Sequence, residues 1–84
     1  MEVRFDERVN LGGKLRINRK RKNYSMNELA KKSGISFNTI AGIETGRTKK
    51  MKLEEIIRMS ETLGVTLEEL IVEGRKISVW EIII

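Results

Sequence analysis

The chain has 84 residues, the size of one domain, and carries 17 basic against 12 acidic side chains for a formal charge of +5. It contains neither cysteine nor histidine. That excludes disulfides, the usual zinc sites, triads with an imidazole base and a histidine pH switch. No apolar run is long enough to span a bilayer and the N-terminus has no signal-type apolar stretch, so a soluble cytoplasmic protein without metal or cofactor is expected.

Taken in chain order, residues 2–5 (Glu-Val-Arg-Phe) alternate with period two and predict a short strand. Gly12-Gly13-Lys14 lacks the spacing of a Walker loop and is expected to be a flexible entry to a first helix over 11–22, with Leu11 and Leu15 on its inner face. Ser25-Met26-Asn27-Glu28 is a capping box that opens a second helix. Leu29 and Ala30 face inward there, Lys31 and Lys32 complement the dipole, and Gly34 closes the helix. Ser36 caps a third helix that runs to about Thr45, with Ile40 and Ile43 inside and Gly46 as its stop. A fourth helix over 52–63 carries the stripe Leu53, Ile56, Ile57 and Leu63 and ends at Gly64. Thr66-Leu67-Glu68-Glu69 is a second capping box, opening a fifth helix that buries Leu67, Leu70 and Ile71. Residues 76–84 are rich in β-branched side chains and predict a C-terminal strand. No proline or low-complexity linker divides the chain, so residues 1–74 are read as one domain and 75–84 as an appended strand.

The charge is segregated. Arg8, Lys14, Arg16, Arg19, Lys20, Arg21 and Lys22 occur in a stretch without an acid, and Arg47, Lys49, Lys50 and Lys52 form a second basic group. From Leu53 to Glu73 the sign inverts, with Glu54, Glu55, Glu61, Glu68, Glu69 and Glu73 against Arg58 alone. The pattern fits either a polyanion-binding face or an ordinary solvated surface.

The most informative stretch is SMNELAKKSGISFNTIAGIETG, residues 25–46. Two short helices meet through Ser33-Gly34-Ile35. Small Ala30 permits close packing, Ile35 plugs the turn, and Ile40 and Ile43 anchor the second helix. Ser36, Phe37, Asn38, Thr39 and Gly42 are left outward, a short and mostly polar face suited to a DNA major groove. These residues resemble the Cro/cI-type (XRE-like) helix-turn-helix family of phage and bacterial repressors. The resemblance covers about residues 11–71. It rests on Leu15-Arg16 and Arg19, Glu28-Leu29-Ala30, Gly34-Ile35-Ser36, Ile40, Ile43-Glu44, Gly46-Arg47, Leu63-Gly64-Val65 and Leu67-Glu68-Glu69-Leu70. It implies a mainly α fold, a five-helix lambda-repressor-like DNA-binding domain with short terminal β-strands. It also implies a transcriptional regulator, a repressor, that reads double-stranded DNA with the helix at 36–45. The chain departs from the family at Met26, where glutamine is usual. It departs again at Asn18, where an apolar residue is usual and looser packing of the first helix is expected, and at Thr48, where proline is common.

From this resemblance, Ser36, Phe37, Asn38 and Gly42 are the expected base readers. Asn38 suits a bidentate contact to adenine, or is a plain exposed asparagine. Phe37 packs on thymine methyls or folds back into the core. Gly42 permits close approach to DNA or is simply tolerated. Lys14, Arg21, Ser25, Met26, Thr39, Thr45, Arg47, Lys49, Lys50 and Lys52 are the expected phosphate contacts, with Met26 acting through its backbone N–H. Arg19 and Glu44 are expected to pair internally, the alternative being two surface charges.

On the C-terminal strand, Ile77, Val79 and Ile83 share one face and Trp80, Ile82 and Ile84 the other. Ile77, Val79, Trp80, Ile82 and Ile84 are therefore expected at a homodimer interface. The competing arrangement is a monomer in which residues 2–5 pair within the chain. An antitoxin, binding its operator and a toxin partner, is the alternative function. Catalysis is not expected, because no nucleophile–base pair can be assembled. The first helix lacks the wide aromatic face of a membrane-surface helix.

Overall fold

The computed structural model describes residues 2–4 and 10–71. The elements in these residues are β1 (Glu2–Arg4), α1 (Leu11–Arg21), α2 (Met26–Ser33), α3 (Phe37–Glu44), β2 (Lys50–Lys52), α4 (Leu53–Leu63) and α5 (Leu67–Ile71). The fold is mainly helical and of the lambda-repressor-like type. The strand expected at 76–84, with Ile77, Val79, Trp80, Ile82 and Ile84, lies outside the described residues, as do Phe5 and Arg8. No helix among the described residues is long and apolar enough to cross a membrane.

The helices pack around one core. Leu15 of α1, Leu29 of α2, Ile40 of α3, Ile56 of α4 and Leu70 of α5 are all fully buried. Each such side chain contributes roughly 1.5–3 kcal/mol relative to leaving it in water. On α4 the apolar stripe is rotated from the expected one. Ile56, Met59 and Leu63 are buried, whereas Ile57 is 38 % exposed. The buried set follows three- and four-residue steps, and Ile57 falls one position off that face.

Two sequence expectations at the start of the chain are corrected. Gly12 and Gly13 are not a flexible entry. They lie in the first turn of α1, which Asn10 caps by accepting the Gly13 N–H at 3.2 Å. Gly12 is where α1 crosses α3, and a Cβ there would fall on the Ile43 carbonyl oxygen. Asn18 does not loosen α1. It is 9 % exposed, its Nδ2 donates to the Lys14 carbonyl at 2.9 Å, and the buried amide is satisfied within its own helix.

The N-terminal strand has a partner the sequence did not reveal. β1 pairs antiparallel with β2, with Glu2 opposite Lys52, Val3 opposite Met51 and Arg4 opposite Lys50. Met51 is 3 % exposed and Val3 packs against the same core. Alternation therefore puts Glu2, Arg4, Lys50 and Lys52 on the solvent face.

Candidate nucleic-acid interface

The segment from α2 to α3 is built by local rules. Ser25 Oγ accepts the Glu28 N–H at 3.0 Å, and the Glu28 carboxylate accepts the Ser25 N–H at 2.8 Å. That backbone hydrogen bond holds the Glu28 carboxyl below its ordinary pKa against the opposing effect of desolvation, with lesser help from the serine hydroxyl, Lys32 and Lys31. The turn closes at Gly34 with φ of 75°, a conformation a Cβ would disfavour. Ser33 Oγ donates to the Leu29 carbonyl at 2.6 Å and accepts the Ile35 N–H, so the turn's polar groups are paired as Ile35 enters the core. Ser36 then caps α3, accepting the Thr39 N–H at 3.2 Å and sharing a hydrogen bond with Thr39 Oγ1.

On α3, Ile40 and Ile43 are buried while Ser36, Phe37 and Asn38 are exposed. Phe37 is 40 % exposed, so it does not fold back as a core residue. Thr39 is half-buried, and the exposed Thr45 donates its hydroxyl to the Ala41 carbonyl at 2.8 Å. Gly42 differs from the base-reading expectation. It is buried, its carbonyl accepts the Thr48 N–H at 3.0 Å, and a Cβ would lie 2.5 Å from Thr48 Oγ1. The missing side chain makes room for the loop leaving α3.

Arg19 joins α1 to the end of α3. Its Nε donates to Glu44 Oε2 at 2.7 Å, Nη2 donates to Glu44 Oε1 at 2.9 Å, and Nη1 donates to the Tyr24 carbonyl at 2.8 Å. The two side chains are 11 % and 6 % exposed, so this is a desolvated, bidentate pair. The side-chain hydrogen bonds to Glu44 raise the Arg19 pKa, overcoming desolvation, with the opposite charge acting in the same sense.

The expected phosphate-binding cations are distributed around this unit. Lys14 is half-buried on α1, and Arg21 ends that helix exposed, with Nη1 at 3.4 Å from Asn18 Oδ1. Ser25 is exposed at the α2 N-terminus, while the Met26 side chain packs against the core and leaves its backbone at the helix start. Arg47 and Lys49 are exposed in the loop after α3, and Lys50 and Lys52 on β2. Arg4 joins this basic group through the β1–β2 pairing. No local pattern signals it, because residue 4 lies far from residue 50 and only the strand register brings them together.

A domain of this geometry defines the class of helix-turn-helix domains. Residues 15–70 match the helix-turn-helix family model, and the chain belongs to that family, in its XRE-like branch. Over 60 residues, 71 % of this chain, it is 40 % identical to the HTH-type transcriptional regulator SlrR of Bacillus subtilis (strain 168), and it spans 40 % of that relative's length. Solved structures of similar fold include the restriction-modification controller protein C.AhdI from Aeromonas hydrophila. That match has 30 % identity and a TM-score of 0.69, covering 76 % of this chain and 96 % of the controller. The hypothetical transcription factor NHTF from Neisseria matches at 27 % identity and TM-score 0.73, covering 89 % and 85 % of the two chains. A chain of the SinR protein/SinI protein complex matches at 28 % identity and TM-score 0.74, covering 87 % and 73 %.

Proposed function

We propose that the protein is a sequence-specific regulator of transcription, a repressor without catalytic activity. It acts in the cytoplasm as a homodimer on double-stranded DNA. The observation that carries this reading is the division of α3 into a buried inner side, Ile40 and Ile43, and an exposed end bearing Ser36, Phe37 and Asn38. That helix enters the major groove, with Asn38 reading adenine and Phe37 resting on thymine methyl groups. The α2 N-terminus at Ser25 and Met26, together with Lys14, Arg21, Thr39, Thr45, Arg47, Lys49, Lys50 and Lys52, holds the phosphates on either side. Two-fold symmetry through residues 77–84 sets two copies of α3 about 34 Å apart, one helical turn of DNA.

Selection of bound duplexes from a random pool tests this reading. A palindromic consensus is expected. For Asn38→Ala the consensus should lose preference at one base pair in each half-site, corresponding to roughly 1–3 kcal/mol of discrimination. A consensus that Asn38→Ala leaves intact would remove Asn38 from base reading, and a pool that shows no enrichment would remove sequence specificity.

A further inference from the structure

We propose that the β1–β2 sheet is a phosphate-binding wing fixed to the recognition helix, with Arg4 as its DNA-contacting residue. The proposal rests on the DNA-binding reading above and adds a binding element from the other end of the sequence.

Three observations place the wing. Thr48 is docked onto the middle of α3, through its N–H to the Gly42 carbonyl at 3.0 Å and its side chain in the space left by Gly42. Lys50 follows only two residues later and begins β2. Arg4 sits directly across from Lys50 in the antiparallel register, so its side chain stands on the same solvent face, beside Lys50 and on the side where Glu2 and Lys52 also emerge. The major groove is about 12 Å wide, so the chain leaving a helix seated in it meets the sugar–phosphate backbone at the groove's edge. The docked loop therefore carries Lys50, and with it Arg4, to that backbone.

The wing is held as a unit by its inner side. Val3 packs on the core beside buried Met51, so β1 cannot leave without exposing apolar surface. Its outer face is basic but tempered. The Glu2 carboxylate lies 3.8 Å from Lys50 Nζ, with both side chains more than half exposed. Such a contact is weak. It orients Lys50 across the sheet and partly offsets its charge. Arginine at position 4 suits a phosphate, because its planar fork can donate to the anionic oxygens in pairs.

The test is a salt titration of the full chain on random-sequence duplex DNA, with wild type, Arg4→Ala, Arg4→Lys, Val3→Asp and Val3→Asp/Arg4→Ala. Arg4→Ala should weaken binding several-fold at low salt, equally on every duplex, and reduce the slope of log K against log salt by about 0.9 per bound protomer. Arg4→Lys should keep the slope. Val3→Asp, which detaches the strand, should lose as much as Arg4→Ala, and the double variant no more than that. A wild type with salt-dependent affinity whose slope and strength survive Arg4→Ala would overturn the wing while leaving DNA binding in place. A wild type with no salt-dependent affinity would overturn both. Melting temperatures of the Arg4 variants, expected to match wild type because residue 4 is exposed, separate a lost contact from a lost fold.

Discussion

Glu44→Ala is expected to lower the melting temperature by at least about 12 °C, from a loss of roughly 3–5 kcal/mol at about 4–8 °C per kcal/mol for a domain of this size. The loss exceeds the strength of the ion pair itself. Removing the carboxylate leaves the Arg19 guanidinium in a site where its side chain is only 11 % exposed, with Nε and Nη2 unpaired and Nη1 still tied to the Tyr24 carbonyl. An ion pair on the open surface would contribute only about 0–1 kcal/mol, and this domain's margin is on the order of 5–15 kcal/mol. Replacing both partners by apolar side chains, Arg19→Met with Glu44→Leu, should recover much of the stability, because no charge is then stranded. Thermal unfolding followed by circular dichroism reads all three proteins. A Glu44→Ala protein melting within about 2 °C of wild type would show that the pair is no more than a surface contact.

Gly12→Ala should destabilise the protein by about 1–3 kcal/mol, although alanine gains about 1 kcal/mol over glycine in a helix interior. The new Cβ would meet the Ile43 carbonyl oxygen and lie 3.2 Å from Glu44 Cα and 3.3 Å from the Glu44 carbonyl oxygen. These are backbone atoms of α3 and cannot rotate aside, so α1 must withdraw and the Arg19–Glu44 bridge between the same helices must lengthen. Gly13 supplies the comparison. The nearest atoms to a Cβ there belong to the Asn10 side chain, with Nδ2 at 2.6 Å, and that side chain can swing away at the cost of the cap. Urea unfolding should therefore rank Gly13→Ala well above Gly12→Ala. Gly12→Ala at or above wild-type stability would contradict the close crossing of α1 on α3.

Much of this architecture was legible because it is local. Ser25 with Glu28, Ser36 ahead of α3 and Gly34 at the turn are short-range signals whose chemistry needs nothing from the rest of the chain. The partnership of Arg19 with Glu44 came from the family resemblance, since 25 residues separate them and no periodicity links the two. Features set by tertiary approach were hidden. Gly12 reads as a flexible glycine until α3 is laid against it, and Gly42 reads as a mid-helix oddity until Thr48 folds back. β2 is three residues long, too short for a periodic signal, and Lys50 and Lys52 read as phosphate-contacting charges with nothing to mark a strand. Its one apolar residue, Met51, is what fixes the register that carries Arg4 to Lys50.

The most direct measurement is the affinity of the wild-type chain for a duplex carrying its selected site and for a scrambled duplex, titrated across salt. Both affinities should fall steeply if the proposed phosphate contacts, Lys14, Arg21, Arg47, Lys49, Lys50, Lys52 and Arg4, displace counterions. The selected site should stay tighter by a factor on the order of 10³ or more at each salt concentration. Equal affinity for the two duplexes, or binding indifferent to salt, would contradict a regulator that reads the major groove with α3.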